Sequence, residues 1–380
     1  MRKNIRVLRN ILVFSLLLCI ALAGCKKETG WKQGHPLPKN RIKVGVVHIT
    51  DPFSESSGYS YAHEMGIQEM KQAIGLNDSQ IIYKTHVDDL YPLNVENTMR
   101  DLIANGANII IATSWGYMDA CENLAKEFPS VIFAHASGYK HNDTNFTNYF
   151  GRVYQARYLS GIIAGMKTKT NKVGYVAAWG MENSEVTGGV NAFAMGVEKA
   201  NPRAKVYVKV THNWFDPMGE ANAARALIAD GCDVIAQHCD TSAPQTEAEK
   251  AGVWGIGYNT DMSADAPAAV LTSALWRWGS YYTALIRSIT DGSFTAAPWF
   301  GSLKEGIVDI SPLNENIDWD AQTVSLLADE RRRIESGSFD VFSGVMETND
   351  GRRIGTEGEN LSDNEIRNEI NWYYRTVIEL

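Results

Sequence analysis

The sequence predicts an α/β protein with two doubly wound parallel-sheet lobes joined by a hinge. Short, continuously apolar runs alternate with longer helical patterns, this alternation occurs in two series, and 380 residues suffice for two domains of ordinary size. Strands that are apolar throughout are typical of parallel sheets covered by helices on both faces. Such sheets bind ligands outside the carboxyl ends of their strands, so two facing lobes create a cleft.

Residues 1–24 have the pattern of a secretory signal peptide. A basic start precedes an apolar run from Ile11 to Leu22, and small residues follow it. Because Cys25 comes directly after these small residues, the segment resembles a bacterial lipoprotein signal, which implies that Cys25 is lipidated. The apolar run is shorter than the roughly 20 residues that span a bilayer. We therefore expect residues 25–41 to tether the fold to the extracytoplasmic side of the cell membrane through a lipid anchor.

The first series of strands and helices begins at residue 42. Its predicted strands cover residues 43–49, 81–87, 108–113 and 131–136. The helical patterns between them cover residues 61–74, 94–105 and 118–128. This strand–helix alternation predicts one parallel sheet. We expect residues 42–152 and 277–318 to form lobe 1.

The second series follows a crossing near residues 150–152. Its predicted strands cover residues 172–178, 205–210, 233–238, 253–258 and 270–273, and helical patterns such as 185–199 and 219–229 separate them. We expect residues 153–276 to form lobe 2, with a return crossing near residues 276–278. Residues 300–310 are expected to add a further strand and crossing.

The last part of the chain, residues 319–380, has a different pattern and is expected to form a helix-hairpin-helix extension. The pattern predicts a helix over residues 320–336 and hairpin arms over 341–348 and 352–358, which turn at Asn349-Asp350-Gly351. A final amphipathic helix is predicted over residues 362–378.

Composition and motifs exclude several function classes. The formal net charge is −8, and an acidic surface repels phosphate backbones, so we expect no nucleic-acid partner. Cys121, Cys232 and Cys239 do not make a disulfide framework or a zinc site, and we expect buried thiols. The sequence contains no nucleophile elbow, Walker loop or zinc-protease motif. We therefore expect no enzyme, no cofactor and no bound metal.

Aromatic and acidic side chains follow the predicted strands, where this architecture places ligands. Aromatic faces stack on flat rings, at about 1–3 kcal/mol per base, and carboxylates accept strong hydrogen bonds in a dry pocket. Together they suit a flat heterocycle with N–H donors at its edge. The candidate ligand-binding residues are Tyr59, Trp115, Trp179, Trp214, Asp240 and Asp261.

We expect the ring to lie between Tyr59 of one lobe and Trp179 or Trp214 of the other. Asp240 and Asp261 would then face opposite edges of the ligand. The alternatives are that Asp240 caps the helix that starts near Thr241 and that Asp261 only shapes a turn. Asp216, which precedes a proline and a helix, is expected to be a helix cap rather than a ligand contact.

Several motifs resemble the basic membrane protein (BMP) family of ABC-transporter substrate-binding lipoproteins. The resemblance runs from residue 43 to about residue 310 and resumes near residues 372–374. It implies a periplasmic-binding-protein type I fold, capture of a purine or purine nucleoside, and delivery to an ABC permease in the membrane. The matching motifs are residues 149–159, 173–178, 191–196, 213–217 and 258–262.

The resemblance also bears on the choice between a purine base and a nucleoside. Nucleoside-binding members hold the ribose with an acid, which would fall on Asp261, and with a lysine that would lie within residues 272–278. This stretch has no lysine, and Trp276 stands at the aligned position. A free base such as adenine is therefore preferred. Arg277 keeps a purine nucleoside open as the alternative, and a sensing receptor for the same ligand is a further one.

Overall fold

The structure is a computed structural model that describes residues 30–380. The predicted signal peptide and Cys25 lie outside the described residues. Within residues 30–380, no helix combines the length and the apolar character that crossing a membrane requires.

Lobe 1 begins with an alternation of strands and helices that matches the predicted series. All neighbouring strands pair in parallel. The strands are short, and those inside the sheet are fully buried, as the continuous apolar runs predicted, whereas the edge strand Ile81–Lys84 is only partly buried. The elements are β1 (Val44–Val47), α1 (Tyr59–Ile74), β2 (Ile81–Lys84), α2 (Pro92–Ala104), β3 (Ile109–Ala112), α3 (Met118–Glu127), β4 (Ile132–Ala136) and β5 (Phe146–Gly151).

Lobe 2 begins after Arg152 and repeats the same alternation with parallel pairing. Its elements are α4 (Val153–Lys167), β6 (Lys172–Ala177), α5 (Ser184–Ala200), β7 (Lys205–Val210), α6 (Pro217–Ala229), β8 (Val234–His238), α7 (Ala243–Ala251), β9 (Trp254–Asn259) and β10 (Val270–Trp276). The fold class predicted from the sequence is therefore confirmed.

The helices α4 and α5 pack closely because glycines stand at their contact. A Cβ atom on Gly161 would collide with the backbone of Phe193, and one on Gly196 would collide with the backbone of Tyr158. This packing fixes the start of α5 beside the carboxyl ends of the strands.

After the return crossing at Arg277, the chain adds one strand to the sheet of each lobe. Helix α8 (Trp278–Asp291) packs on α1, and β11 (Trp299–Gly301) pairs with β5. Strand β12 (Val308–Ile310) then pairs antiparallel with β10. We expected residues 277–318 in lobe 1, but β12 belongs to the second sheet because the turn at Gly306, with φ of +74°, brings the chain back beside β10. The first sheet has the order β11-β5-β4-β3-β1-β2.

The C-terminal part joins lobe 2 rather than standing apart. Helix α9 (Ala321–Glu335) packs on α4, and the predicted hairpin is present as the short strands β13 (Met346–Glu347) and β14 (Arg353–Ile354). Two further elements follow, α10 (Asp363–Asn368) and β15 (Val377–Glu379). Strand β15 pairs with β7, which gives the second sheet the order β12-β10-β9-β8-β6-β7-β15.

The final helix therefore covers only part of the range 362–378, where the helical prediction was wrong. The side chain of Asn191 explains the difference: its amide donates to the carbonyl of Trp372 at 2.7 Å and accepts from the backbone N–H of Tyr374 at 2.8 Å. Trp372 and Tyr373 are buried against lobe 2. Tertiary contacts thus hold this segment in a non-helical conformation.

Candidate functional site

The two lobes meet at the carboxyl ends of their strands, and the cleft between them is closed. Gly58, just before α1, has φ of +98°, and a Cβ atom there would lie 2.7 Å from the backbone oxygen of Asp240 in lobe 2. The side chain of Ser57 also hydrogen-bonds the carboxylate of Asp265 across this interface. Burial raises the pKa of Asp265, and this hydrogen bond opposes the shift.

Lobe 1 lines the cleft with aromatic rings. The half-buried Tyr59 donates its hydroxyl hydrogen to the carbonyl of Thr113 at 2.6 Å. Its ring stands edge-on to His63, with 4.5 Å between ring centroids. His63 stacks on Trp278 at 4.2 Å, and its Nδ1 lies 2.6 Å from the hydroxyl of Tyr282. This network fixes the ring of Tyr59 before any ligand arrives.

Lobe 2 contributes a half-buried carboxyl group, that of Asp240. Its backbone N–H donates to the carbonyl of Trp214 at 2.8 Å, and Oδ1 accepts from Nδ2 of Asn259 at 2.9 Å. Burial raises the pKa of Asp240 to about 8, and the carboxylates of Glu220 and Glu185 add to the shift. Asp240 does not cap a helix, since α7 begins at Ala243 after Ser242.

Several buried polar atoms of lobe 2 have no hydrogen-bond partner among residues 30–380. They include Oδ1 of Asn259, Nε2 of His238, and Nε and Nη2 of Arg157. Asn259 also has φ of +67°, which is unfavourable for a residue other than glycine. Unpaired buried polar atoms are costly, at about 1–3 kcal/mol each, and strained backbone of this kind clusters at functional sites. These atoms are candidates for contacts with the polar edge of a ligand.

Two ionisable side chains, Arg157 and Glu185, lie near one another in this region without forming an ion pair. Arg157 is fully buried, donates through Nη1 to the carbonyl of Gln237 at 2.6 Å, and lies over the ring of Tyr258 at 4.0 Å. Oε1 of Glu185, at the start of α5, lies 3.7 Å from Nε2 of His238. Burial raises the pKa of Glu185 to about 7, against the opposing effect of the Arg157 guanidinium.

Trp276 fills the hinge end of the cleft. Its ring stacks on Trp278, with 4.4 Å between centroids and 11° between planes, and its Nε1 donates to the hydroxyl of Tyr258 at 3.0 Å. The next residue, Arg277, is 55% exposed and forms an ion pair with Asp309 at 3.3 Å. Arg277 is therefore engaged away from Tyr59 and Asp240.

The structure brings three of the sequence-predicted residues together: Tyr59, Asp240 and Trp214, whose ring lies 5.9 Å from that of His238. Asp216 is the N-cap of α6 and accepts from the N–H of Gly219 at 3.0 Å, which confirms the predicted cap.

The other three predicted residues make no direct contact with Tyr59 or Asp240 within the described residues. The half-buried ring of Trp179 is 6.1 Å from that of His212, and Trp115 is 53% exposed beside Tyr139. Asp261 is exposed, and its Oδ1 accepts from the N–H of Ser263 at 3.0 Å, as the turn alternative required. No hydrogen bond or ring contact within residues 30–380 joins them to Tyr59 or Asp240, so their ligand contacts stay predictions.

Five further residues near Asp240 were not predicted from the sequence as ligand-binding residues: Arg157, Glu185, His238, Tyr258 and Asn259. One signal was available: Arg157 is the single charged residue in α4 before its last residue. Neither it nor Glu185 follows a strand directly, and so the focus on strand ends passed over both.

The cysteines of the described residues are free thiols. Cys121, Cys232 and Cys239 are buried and unpaired, which confirms the prediction of buried thiols. Within the described part of the chain, no group of three or more His, Cys, Asp or Glu side chains is placed to hold a metal ion.

Comparisons with known proteins agree with this architecture. The family model described as Bmp, ABC transporter substrate-binding protein PnrA-like, matches residues 42–336. A purine-binding protein of Brucella abortus is 33% identical over 341 residues, which cover 89% of this chain and 93% of the relative. A putative ABC transporter glucose-binding protein of Haloferax volcanii is 32% identical over 311 residues, covering 82% of this chain and 76% of the relative.

Solved structures share the fold. An ABC transporter solute-binding protein from Conexibacter woesei matches with a TM-score of 0.65 and 19% identity, covering 79% of this chain and 98% of that one. A transcriptional activator of the comK gene from Bacillus halodurans matches with a TM-score of 0.66 and 17% identity, over 78% and 99% of the two chains. These matches confirm a fold of the periplasmic-binding-protein type I kind. The chain belongs to the Bmp family, the PnrA-like substrate-binding proteins of ABC transporters.

Proposed function

We propose that this protein captures a free purine base, adenine or a close analogue, in the interlobe cleft and delivers it to an ABC permease in the cell membrane. The observation that carries the proposal is the half-buried carboxyl group of Asp240, held by Asn259 beside the fixed ring of Tyr59. The name of the Brucella abortus relative, a purine-binding protein, supports the same ligand class.

The ligand chemistry follows from these groups. The base stacks on Tyr59 of lobe 1 and on Trp214 of lobe 2, and Asp240 accepts an N–H hydrogen bond from its edge. Adenine offers two kinds of donor, the exocyclic amine and a ring N–H. A ligand donor favours the ionised form of Asp240, which burial alone disfavours. A guanine or hypoxanthine carbonyl directed at the ionised carboxylate would be repelled.

A free base fits the hinge end of the cleft better than a nucleoside does. The Trp276 ring is stacked on Trp278 and packed against Gly151, where a Cβ atom would lie 2.7 Å from it. It occupies volume that a sugar would need. Arg277, the residue that kept a nucleoside open, is paired with Asp309.

The test is to identify the small molecule that copurifies with the protein by mass spectrometry, and then to titrate the emptied protein calorimetrically with adenine, hypoxanthine, adenosine, inosine and glucose. We expect adenine to bind most tightly. Tight adenosine binding without adenine binding would establish the nucleoside alternative. Glucose binding alone would favour the ligand named for the Haloferax volcanii relative. Incubation with nucleosides is expected to yield no products.

We further propose that Cys25 carries the lipid anchor and that the protein serves uptake rather than sensing. Cells expressing the full chain would be labelled with a radioactive fatty acid. We expect the label on the natural chain and its absence from Cys25→Ala. Deletion of the gene should reduce uptake of labelled adenine, whereas a sensing receptor would leave uptake unchanged.

A further inference from the structure

Glu185 is an acidic residue at the cleft whose carboxylate has no hydrogen bond within residues 30–380. It is the second residue of α5, but the helix is capped by Asn183, whose side chain accepts from the N–H of Val186 at 3.1 Å. The carboxylate of Glu185 lies 3.7 Å from Nε2 of His238, which is beyond hydrogen-bond distance, and burial lowers the pKa of His238 and so disfavours a charged ring. Neither helix capping nor a hydrogen bond therefore accounts for the side chain.

The position of Glu185 places it where both lobes meet. Its charge contributes to raising the pKa of Tyr59 in lobe 1 and the pKa values of Asp240 and Tyr258 in lobe 2. The side chain is 27% exposed, while its neighbour His238 is fully buried. The carboxylate thus faces open space near the residues that hold the proposed ligand.

Positive charge lies close by without pairing directly. Arg157 keeps Nε and Nη2 free of partners among the described residues, and its charge, like that of Arg367, favours the ionised form of Glu185. A ligand edge that carries an N–H donor beside a ring-nitrogen acceptor would satisfy Glu185 and Arg157 together. The edge of a purine has this alternation of donor and acceptor.

Asp261, the acid that the sequence pattern selected as the partner of Asp240, is situated differently. It is exposed, and its carboxylate is already used by the N–H of Ser263 in its own turn. Of the two acids, Glu185 has the unsatisfied carboxylate and the electrostatic contact with Tyr59.

We propose that Glu185 is a specificity-determining residue of the cleft, which accepts an N–H hydrogen bond from the purine edge opposite the one that Asp240 contacts. This inference rests on the proposed function. The site would then recognise N–H donors on two edges of the ligand, with one acidic residue at each edge. Arg157 is the positioning residue that favours the charged form of Glu185.

The experiment compares Glu185→Gln with the natural protein by calorimetric titration of adenine, of purine, which lacks the amine, and of 9-methyladenine, which lacks the N9–H. Glutamine preserves the size of the side chain but replaces one acceptor oxygen with a donor. We expect adenine to bind about tenfold more weakly or worse. Glu185→Gln should also reduce the preference for adenine over either purine or 9-methyladenine. The analogue for which the preference falls lacks the N–H group whose hydrogen bond Glu185 accepts.

Two further variants sharpen the comparison. Glu182→Gln changes a neighbouring acid that is half exposed, and we expect unchanged affinities. Asp261→Asn tests the rival acid. The unfolding temperature of empty Glu185→Gln should match that of the natural protein, while the increase on adding adenine becomes smaller.

The outcomes separate the inference from the function on which it rests. If Glu185→Gln retains all three affinities, or loses the same factor for every ligand, Glu185 does not determine specificity. A selective loss in Asp261→Asn but not in Glu185→Gln would assign the role to Asp261 instead. Failure of the natural protein to bind any purine would overturn the proposed function itself.

Discussion

Lobe 1 presents aromatic rings, and the hydroxyl group of Tyr59 among them is already hydrogen-bonded. Lobe 2 presents a carboxyl group and a guanidinium beside the cleft. Both lobes contain buried polar atoms that lack partners within the described residues, such as Nε2 of His63 in lobe 1 and Oδ1 of Asn259 in lobe 2. Tyr59 is fixed by the carbonyl of Thr113, but Asn259 and Arg157 keep free donors or acceptors. Stacking depends little on the identity of a base, while edge hydrogen bonds depend on it strongly. Under the proposed function, we therefore expect lobe 1 to supply affinity for flat rings and lobe 2 to select among them.

A second difference lies in what holds the lobes closed. The C-terminal part packs on lobe 2 but contacts residues of lobe 1. The carboxylate of Asp363 in α10 accepts two hydrogen bonds from Nη2 of Arg152, at 2.7 and 2.8 Å. Arg367 donates to the carbonyl of Gly138, after β4, at 2.7 Å. These tail residues lie beyond the range that the family model matches.

The largest expected effect is that of Asp240→Ala on lobe 2. The change leaves Nδ2 of Asn259 and a donor of the ligand without an acceptor, so adenine binding should weaken by about 3 kcal/mol. Calorimetric titration measures the loss, with Asp230→Ala, an exposed acid after α6, as the control. Wild-type affinity in Asp240→Ala would remove lobe 2 from its selecting role.

In lobe 1, Tyr59→Ala should weaken binding by about 2 kcal/mol, because one stacking face is lost. The same loss is expected for adenine and hypoxanthine, so their affinity ratio stays constant. Tyr59→Phe keeps the ring and should bind nearly as the natural protein does. A changed ratio in Tyr59→Ala would contradict the division of roles between the lobes.

A smaller effect is expected from Arg367→Ala, which removes the contact of the tail with Gly138. Because that contact exists between the lobes, its loss should favour the open form and weaken adenine binding by about 1 kcal/mol. Arg375→Ala is the matched control, since this tail arginine pairs with Glu198 inside lobe 2. Equal effects of the two variants would show that the tail does not hold the lobes together.

The smallest effect is expected for the dependence of lobe closure on pH in the protein without ligand. Burial in the closed form raises the pKa of Asp240 to about 8, so we expect the closed form to hold a proton that a more solvated, open form releases. Closure of the empty cleft is therefore most favourable at low pH and weakens as the pH rises towards about 8. Small-angle X-ray scattering should show a slightly larger radius of gyration at high pH. Asp240→Asn should reduce this dependence, and an unreduced one would implicate other groups.

Local patterns in the sequence determined the fold class, the two lobes and the membership of the Bmp family. Continuous apolar runs and helical periodicity report burial directly, because strands such as Ile109–Ala112 lie in the middle of a sheet. The same patterns identified Tyr59, Trp214 and Asp240, since parallel strands end at one edge of their sheet.

Only the tertiary structure decided the surroundings of each acidic group and where the last residues of the chain go. Asp261 follows a strand as Asp240 does, yet it is exposed, whereas Glu185 reaches the cleft from the start of a helix. The segment after α10 leaves the helical conformation because Asn191, far away in the sequence, binds its backbone. Unpaired donors and contacts between lobes arise from groups distant in the chain, and no local pattern encodes their approach.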